Sequence, residues 1–386
     1  MPNAYAILLA AGYGSRMGQC KPLLPFGDKT ALHVLAKQFI AAGVTPIVVT
    51  GHAHEQVEEE CNRLSLHAVH NAQFAEGMFS SVQTGARALP DDAALFFVTP
   101  VDVPLIRSNT IAALIADAET STAEVIHPVL DDSLLTPLPA FLLKAEGKRG
   151  HPPCMRASLK KAILQYNGEG GLARLLDKYE EHTCYLPVID SNMLLDMDTP
   201  EEYAKLQQVY AMQHIPSLQE CYAIWNKEKL PPHIRNHSTA VTNIARIILE
   251  RLPEQSPQFT KTVLAGTMLH DIAKGSQKHA LAGARVVTEF GFPALASCIA
   301  THSHLEVSKG AVTEAELVFL ADKFVEGTER CTLEKRYEDK MACFADSLDV
   351  VAIIRHKLQQ AQAILRKVEG AATTDFTTLL TTNRSA

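Results

Sequence analysis

Apolar and polar positions change rhythm once along this chain. In the first half, short apolar runs alternate with stretches of helical spacing; in the second half only helical spacing is left. Tyr5–Leu9 and Pro46–Thr50 read as buried strands, and residues 94–99 (ALFFVT) are apolar on both faces, as a central parallel strand requires. Residues 30–42 carry apolar residues at helical spacing and stop at Gly43, a natural glycine just past a helix. The spacing further predicts a helix over about 53–63, a short strand over Leu66–Val69, a helix from Gly77 to about Leu89 and a strand near Glu124–Pro128. Leu194–Met197 reads as a last strand, followed by a helix to about Met212 with Thr199 as cap, Pro200 at its first position and Glu202 at its third. His214–Ser217 is the expected boundary. A helix over Ser217–Lys227 then leads through Leu230-Pro231-Pro232 into a helix-only region, so the fold class changes here. Residues 344–369 read as one long amphipathic helix, and the Thr/Ser-rich tail after Gly370 as loose. The expected units are therefore 1–214, 216–370 and a tail, 371–386.

A length of 386 residues suits two domains, and 47% hydrophobic residues suffice for sizeable cores. The net charge of −7 argues against a nucleic-acid partner. Eight scattered cysteines without a CxxC pair read as reduced thiols in a cytoplasm. The N-terminal apolar run is short, lacks a charged lead and runs into glycines, unlike a signal peptide; no segment approaches the roughly 18 apolar residues of a membrane span.

Candidate chemistry begins where the first run breaks into Ala10, Ala11, Gly12, Gly14 and Gly18. Small residues after a first strand let backbone N–H groups turn toward an anion, and Arg16 and Lys21 add two cations in the same loop. The pattern describes a triphosphate cradle; it lacks the GK[ST] of a P-loop and the spacing of GxGxxG. Asp102 lies just past the end of the central strand, where open α/β sheets bind ligands, and is a candidate for Mg²⁺; a turn-stabilising aspartate before proline is the plainer alternative. Gly77-Met78-Phe79-Ser80-Ser81 reads either as a helix cap or as a ligand contact.

The string LAAGYGSRMGQCKPLLPFG at residues 9–27 closely resembles the signature of MobA-like nucleotidyltransferases, and its AAG form resembles the molybdenum cofactor cytidylyltransferase branch. The resemblance implies a three-layer, Rossmann-like α/β domain that holds the nucleotide on Leu9, Ala10, Ala11, Gly12, Gly14, Arg16 and Lys21. The N…GM.SS segment, with Gly77 and Ser81, would lie beside base and ribose. It implies Mg²⁺ on Asp102, through the PxDxP element, and on Asp198, through MDTPEEY, with Arg16, Lys21 and Asp102 catalytic. Arg149-Gly150-His151-Pro152 resembles the motif over the acceptor side, and GEGGLARLL at 168–176 a following segment. Residues 131–147 look like an insertion. The implied partners are an NTP, CTP by the branch, and a phosphorylated acceptor, molybdopterin cofactor, with room for a molybdoenzyme as maturation partner. Transfer to a sugar phosphate or phosphoalcohol stays open.

In the helical half, His237, His270-Asp271, His279, His302 and Asp322 follow one another on predicted helices. Imidazoles and carboxylates converging from helices suit Fe, Mn or Zn. The order resembles HD-domain phosphohydrolases over about residues 216–340, an all-α domain. The resemblance implies His237, His270, Asp271 and Asp322 as ligands, Asp271 also as a catalytic residue, and His279 and His302 as the extra ligands of dinuclear members. His304 departs from the pattern. Lys274 is either a phosphate contact or a surface lysine. A nucleotide-sensing module without catalysis is the rival expectation for this half.

Overall fold

The computed structural model describes residues 2–14, 17–130 and 149–382. Arg16 and the 131–147 insertion lie outside the described residues. The chain divides into two compact units, Met1–Met212 and Gln213–Ala386.

The first unit is built on a seven-stranded sheet: β1 (Ala4–Ala10), β2 (Thr45–Thr50), β3 (His67–His70), β4 (Leu95–Pro100), β5 (Val125–Leu130), β6 (Cys154–Arg156) and β7 (Thr183–Val188), in the order β3-β2-β1-β4-β6-β5-β7. β1 runs parallel to both β2 and β4, with Ile7 opposite Ile47 and Val98. β6 alone runs antiparallel to its neighbours in the sheet. Alternation sends side chains to both faces. Ile7, Leu9, Val49 and Val98 pack with Phe79, Val82 and Ala86 of the helix Met78–Ala88. On the other face, Phe97 meets Phe39 of the helix Ala31–Ala41 at a ring separation of 5.7 Å. The helix Met78–Ala88 lies tight on the sheet: a Cβ on Gly85 would come within 2.2 Å of Ile7 Cγ2.

Register decides where the chemistry falls. Leu9 pairs with Pro100, so the loops leaving β1 and β4 emerge side by side at one sheet edge. The expected strand at Leu194–Met197 is not one. Ser191–Leu194 form a short 3₁₀ turn, and Met197 N donates to Asp102 O at 3.0 Å, so this segment straps onto the loop after β4. The helix Pro200–Met212 starts as expected: Glu202 N donates to Thr199 Oγ1, and Thr199 N to Glu202 Oε2.

The second unit is helical, with the helices Pro232–Leu249, Pro257–Leu269, Glu314–Lys323 and Leu348–Ala372 around Val241, Ile244, Leu317, Leu320, Phe324 and Ile364. His237 stands in the second turn of its helix. Two details depart from expectation. A two-stranded hairpin, Val325–Glu326 with Glu329–Arg330, interrupts the helices. The described part of the tail, to Thr382, is not loose: Phe376–Thr382 form a helix, and Phe376 and Leu380 are buried in the core, apolar anchors that outweigh the polar composition around them. No helix among the described residues is long and apolar enough to cross a membrane.

Candidate functional sites

The loop after β1 turns on Gly14. Its φ is +62°, Met17 N and Gly18 N both donate to its carbonyl, and a Cβ there would sit 2.3 Å from Gln19 O. Lys21 follows, at the head of a short 3₁₀ turn. Its Nζ lies 2.6 Å from Asp198 Oδ1 and 3.4 Å from Asp102 Oδ2. Two carboxylates 96 residues apart in sequence thus converge on one ammonium, because the strap at Met197 is bonded to the Asp102 carbonyl. Burial pushes the Asp102 carboxyl above its ordinary value; Lys21 opposes that rise and Asp198 adds to it. A pair of hard oxygen donors at the C-terminal edge of a parallel sheet fits Mg²⁺, which takes one or two protein carboxylates and leaves the rest of its shell to phosphate and water.

Leu9, Ala10, Ala11, Gly12, Gly14, Lys21, Gly77, Ser81, Asp102 and Asp198 line one cleft of about 350 Å³. The serines do not cap the helix Met78–Ala88 at its first turn. Asn71 Nδ2 instead donates to Ser80 Oγ and Ser81 Oγ at 2.8 and 2.9 Å, and Ser80 Oγ donates to Gly77 O. The uncapped N-terminus therefore faces the cleft with Gly77 and Met78 in its wall. Sequence reasoning missed the rim: the rings of Tyr13, His52 and Phe74 cluster at 4.8–6.1 Å, from three loops with no shared motif. A second hollow of about 270 Å³ shares Pro100, Asp102 and Asp198 with the first and continues to Arg149, His151 and Asp196. Arg149 is held by Asp177 and Glu180, each at 2.8 Å.

In the second unit, His237, His270, Asp271, His279, His302 and Asp322 come together. His237 Nε2 lies 3.2 Å from Asp322 Oδ1. Asp271 stands between two groups: its Oδ2 is 3.6 Å from His270 Nε2 and 3.9 Å from His237 Nε2, and its Oδ1 is 3.4 Å from Nε2 of both His279 and His302. These sets, His237-His270-Asp271 and Asp271-His279-His302, each have ligand atoms close enough to hold one ion. The outward nitrogens settle the fit. Nδ1 of His237, His270 and His302 lies 2.8, 2.8 and 2.6 Å from the carbonyls of Gly327, Thr267 and Ile299. Each ring then carries its proton on Nδ1 and turns an Nε2 lone pair inward, the tautomer a metal requires. His270 Nε2 is buried without a hydrogen-bond partner, which is costly unless an ion takes it. Burial pushes His270 down to about 4, keeping it neutral. Burial alone would raise both carboxyls, but the Lys274 ammonium holds Asp271 well below the carboxylate range, and Lys323 and Arg336 do the same for Asp322. Lys274 Nζ lies 3.0 Å from Asp271 Oδ2.

Missed in the sequence were Ser303, whose Oγ lies 3.2 Å from His302 Nε2, and Lys323 and Arg336, which flank Asp322. The adjacency Asp322-Lys323 straight after the apolar run Leu317–Ala321 was the available signal for Lys323.

Comparison with known proteins agrees with the division into two units. Residues 6–183 match the family model of the MobA-like NTP transferase domain, and residues 234–326 that of the HD domain. The chain is 26% identical over 212 residues to a molybdenum cofactor cytidylyltransferase of Escherichia coli K12, covering 53% of this chain and 95% of that protein. It is 31% identical over 136 residues to a bifunctional protein GlmU of Ruthia magnifica, covering 34% of this chain and only 29% of that longer protein. Among solved structures, a nucleotidyl transferase from Methanothermobacter superposes with a TM-score of 0.45 at 22% identity, covering 54% of this chain and 98% of that one.

Proposed function

We propose, from the premise that this chain joins a MobA-like NTP transferase domain to an HD domain and is an enzyme of the nucleotidyltransferase type, that its first unit is a CTP:molybdenum cofactor cytidylyltransferase and its second a metal-dependent phosphohydrolase. The observation that carries the first half is the convergence of Lys21, Asp102 and Asp198 between two adjoining hollows, one continuous with the glycine loop and one with Arg149 and His151. Triphosphate lies along the backbone of residues 11–14 and against the uncapped helix at Gly77, where N–H groups meet anionic oxygens. Lys21 would hold the β- and γ-phosphates as pyrophosphate leaves; Asp102 and Asp198 would hold the Mg²⁺ beside the α-phosphate, facing an acceptor phosphate in the second hollow. Bound Mg²⁺ supplies charge neutralisation at the transferring phosphoryl group. In-line positioning and electrostatics suffice, since the acceptor phosphate is itself the nucleophile.

In the second unit, bound Fe, Mn or Zn supplies hydroxide at neutral pH from coordinated water. Asp271 faces both ligand groups, and Lys274 beside it meets a phosphate ester or anhydride. Burial raises the thiols of Cys61, Cys154 and Cys221, which makes them inert and fits a reducing, cytoplasmic setting.

The test is a thermal-shift screen of the full chain with the four common NTPs and Mg²⁺. CTP at 100-fold above its Kd is expected to add about 2.7 kcal/mol of stability, and the other three distinctly less. An equal response to all four would remove the cytidylyl assignment.

A further inference from the structure

Lys323 is an expensive residue to have where it is. It is 7% exposed, in the last turn of the helix Glu314–Lys323, and burial pushes its ammonium below the ordinary lysine value. Its charge lies next to Asp322, on the face of the candidate metal centre. A fixed cation at that place repels any ion arriving at the ligands. Stability does not explain it either, since replacing a buried ion pair by apolar side chains of like volume is often neutral or stabilising.

Its two partners suggest what it is for. Lys323 Nζ donates to Asp322 Oδ2, and also, at 3.1 Å, to the backbone carbonyl of His302. Asp322 Oδ1 is the oxygen that faces His237 and His270, at 3.2 and 3.8 Å. His302 belongs to the other group, with Asp271 and His279. The ammonium therefore reaches from the first ligand group to the second. Asp271 is the other link between them, through its two oxygens; Lys323 makes a second link on the outer side. The ammonium also lies 4.7 Å from the centre of the Phe319 ring, one turn back on its own helix. Arg336 contributes to one side only: it donates to the carbonyls of Asp322 and Val325 and lies 3.5 Å from Asp322 Oδ1, with no bond to the His302 group among those described.

Resting on the reading of this half as a metal centre, we infer that Lys323 is a positioning residue that joins the two metal subsites into one unit. By occupying Asp322 Oδ2 it leaves only Oδ1 for an ion, so Asp322 coordinates through one oxygen. By holding the His302 carbonyl it fixes the distance between the two ligand groups. Removing Lys323 should then loosen both subsites, although it ligates neither.

The experiment is a cobalt(II) titration of the metal-free full chain, followed by visible absorption, with the wild type, Lys323→Met and Arg336→Met. The wild type is expected to take up two cobalt ions. Lys323→Met is expected to bind both about 10- to 100-fold more weakly, the range for lost outer partners of ligands, and to show altered band intensities as Asp322 gains its second oxygen. Arg336→Met is expected to weaken one ion and leave the other within about threefold of wild type. A wild type that binds no cobalt would defeat the metal-centre reading itself. A wild type that binds two, with a folded Lys323→Met matching it in affinity and spectrum, would overturn the role of Lys323 alone. If Lys323→Met does not fold, Lys323→Gln is read in the same way; failure of both to fold would assign the residue to the fold and overturn the inference.

Discussion

The cleft in residues 1–212 is assembled from loops that leave a sheet, whereas the centre in residues 213–386 is assembled mostly from helix ends and helix interiors. The two hold their ligand groups differently. In the first, Lys21 sits between Asp102 and Asp198, so the acids and the cation neutralise one another at partly exposed positions. Those groups must exchange partners when a triphosphate arrives, which suits a ligand that brings its own charge. In the second, imidazoles are pinned through Nδ1 to backbone carbonyls and surround two buried carboxylates held ionised. Lys274 and Lys323 also stand against Asp271 and Asp322 there, but the pinned imidazoles need not reorganise to take an ion. On the proposed reading, the loop-built site serves turnover of a polyanion and the helix-built cage serves retention of a metal.

The contrast can be broken from either side. The largest effect is expected at Asp102. Asp102→Asn should lower Mg²⁺-dependent transfer by about 1000-fold while the chain stays folded, because the change is nearly isosteric and leaves the buried Val101, Val103, Leu105 and Ile106 of that loop in place. Circular dichroism and a pyrophosphate-release assay check this, and wild-type turnover would remove Asp102 from the metal. Lys21→Ala should cost roughly 100-fold in kcat by leaving the departing pyrophosphate without its cation. A pure KM effect at that position would mean that Lys21 only binds substrate. Gly14→Val should weaken nucleotide binding about tenfold. Left-handed backbone costs a side chain about 1–2 kcal/mol, and the new Cβ meets Gln19 O. Calorimetry with CTP reads it directly.

A smaller effect concerns the stability of the first unit. His127 is buried on β5, and burial, with the charges of Arg149 and His151, pushes it from 6.5 down to about 4. Between those values the unfolded chain binds a proton that the folded chain does not. The contribution is therefore full above pH 6.5 and is lost as pH falls toward 4, by about 3 kcal/mol. His127→Leu should flatten that part of the pH profile. Trp225, the only tryptophan, reports the second unit, so a dichroism change that its fluorescence does not follow belongs to the first. An unchanged slope in His127→Leu would assign the acid sensitivity to other groups.

Much of this was readable in the sequence, unevenly and for physical reasons. Strands buried on both faces, such as Leu95–Pro100, announce themselves by continuous apolar runs. His270-Asp271 at the end of an apolar helix is visible because the residues are adjacent, and the other ligands because histidine and aspartate are rare on apolar helix faces. The meeting of Asp102 with Asp198 is not visible in spacing, since it depends on one backbone bond from Met197 to Asp102. Backbone groups are invisible for the same reason: the hairpin that brings Gly327 O to His237 consists of two-residue strands without a hydrophobic pattern. The segment at Leu194–Met197 was misread as a strand because its apolar residues anchor a strap, with Met193 and Met197 buried, rather than a ladder. The tail was misread because composition outweighed two buried residues, Phe376 and Leu380.

The central claim is that one chain carries two chemically independent sites, a nucleotide cleft that borrows its cation with the substrate and a cage that keeps its own metal. Elemental analysis of the full chain and of Asp271→Ala, both purified without chelator, reconstituted with Fe, Mn or Zn and assayed for nucleotidyl transfer, tests it most directly. The expected result is stoichiometric transition metal in the wild type, none retained in Asp271→Ala, and the same transfer rate in both. Equal metal in the two proteins, or a transfer rate that falls with the metal, would contradict it.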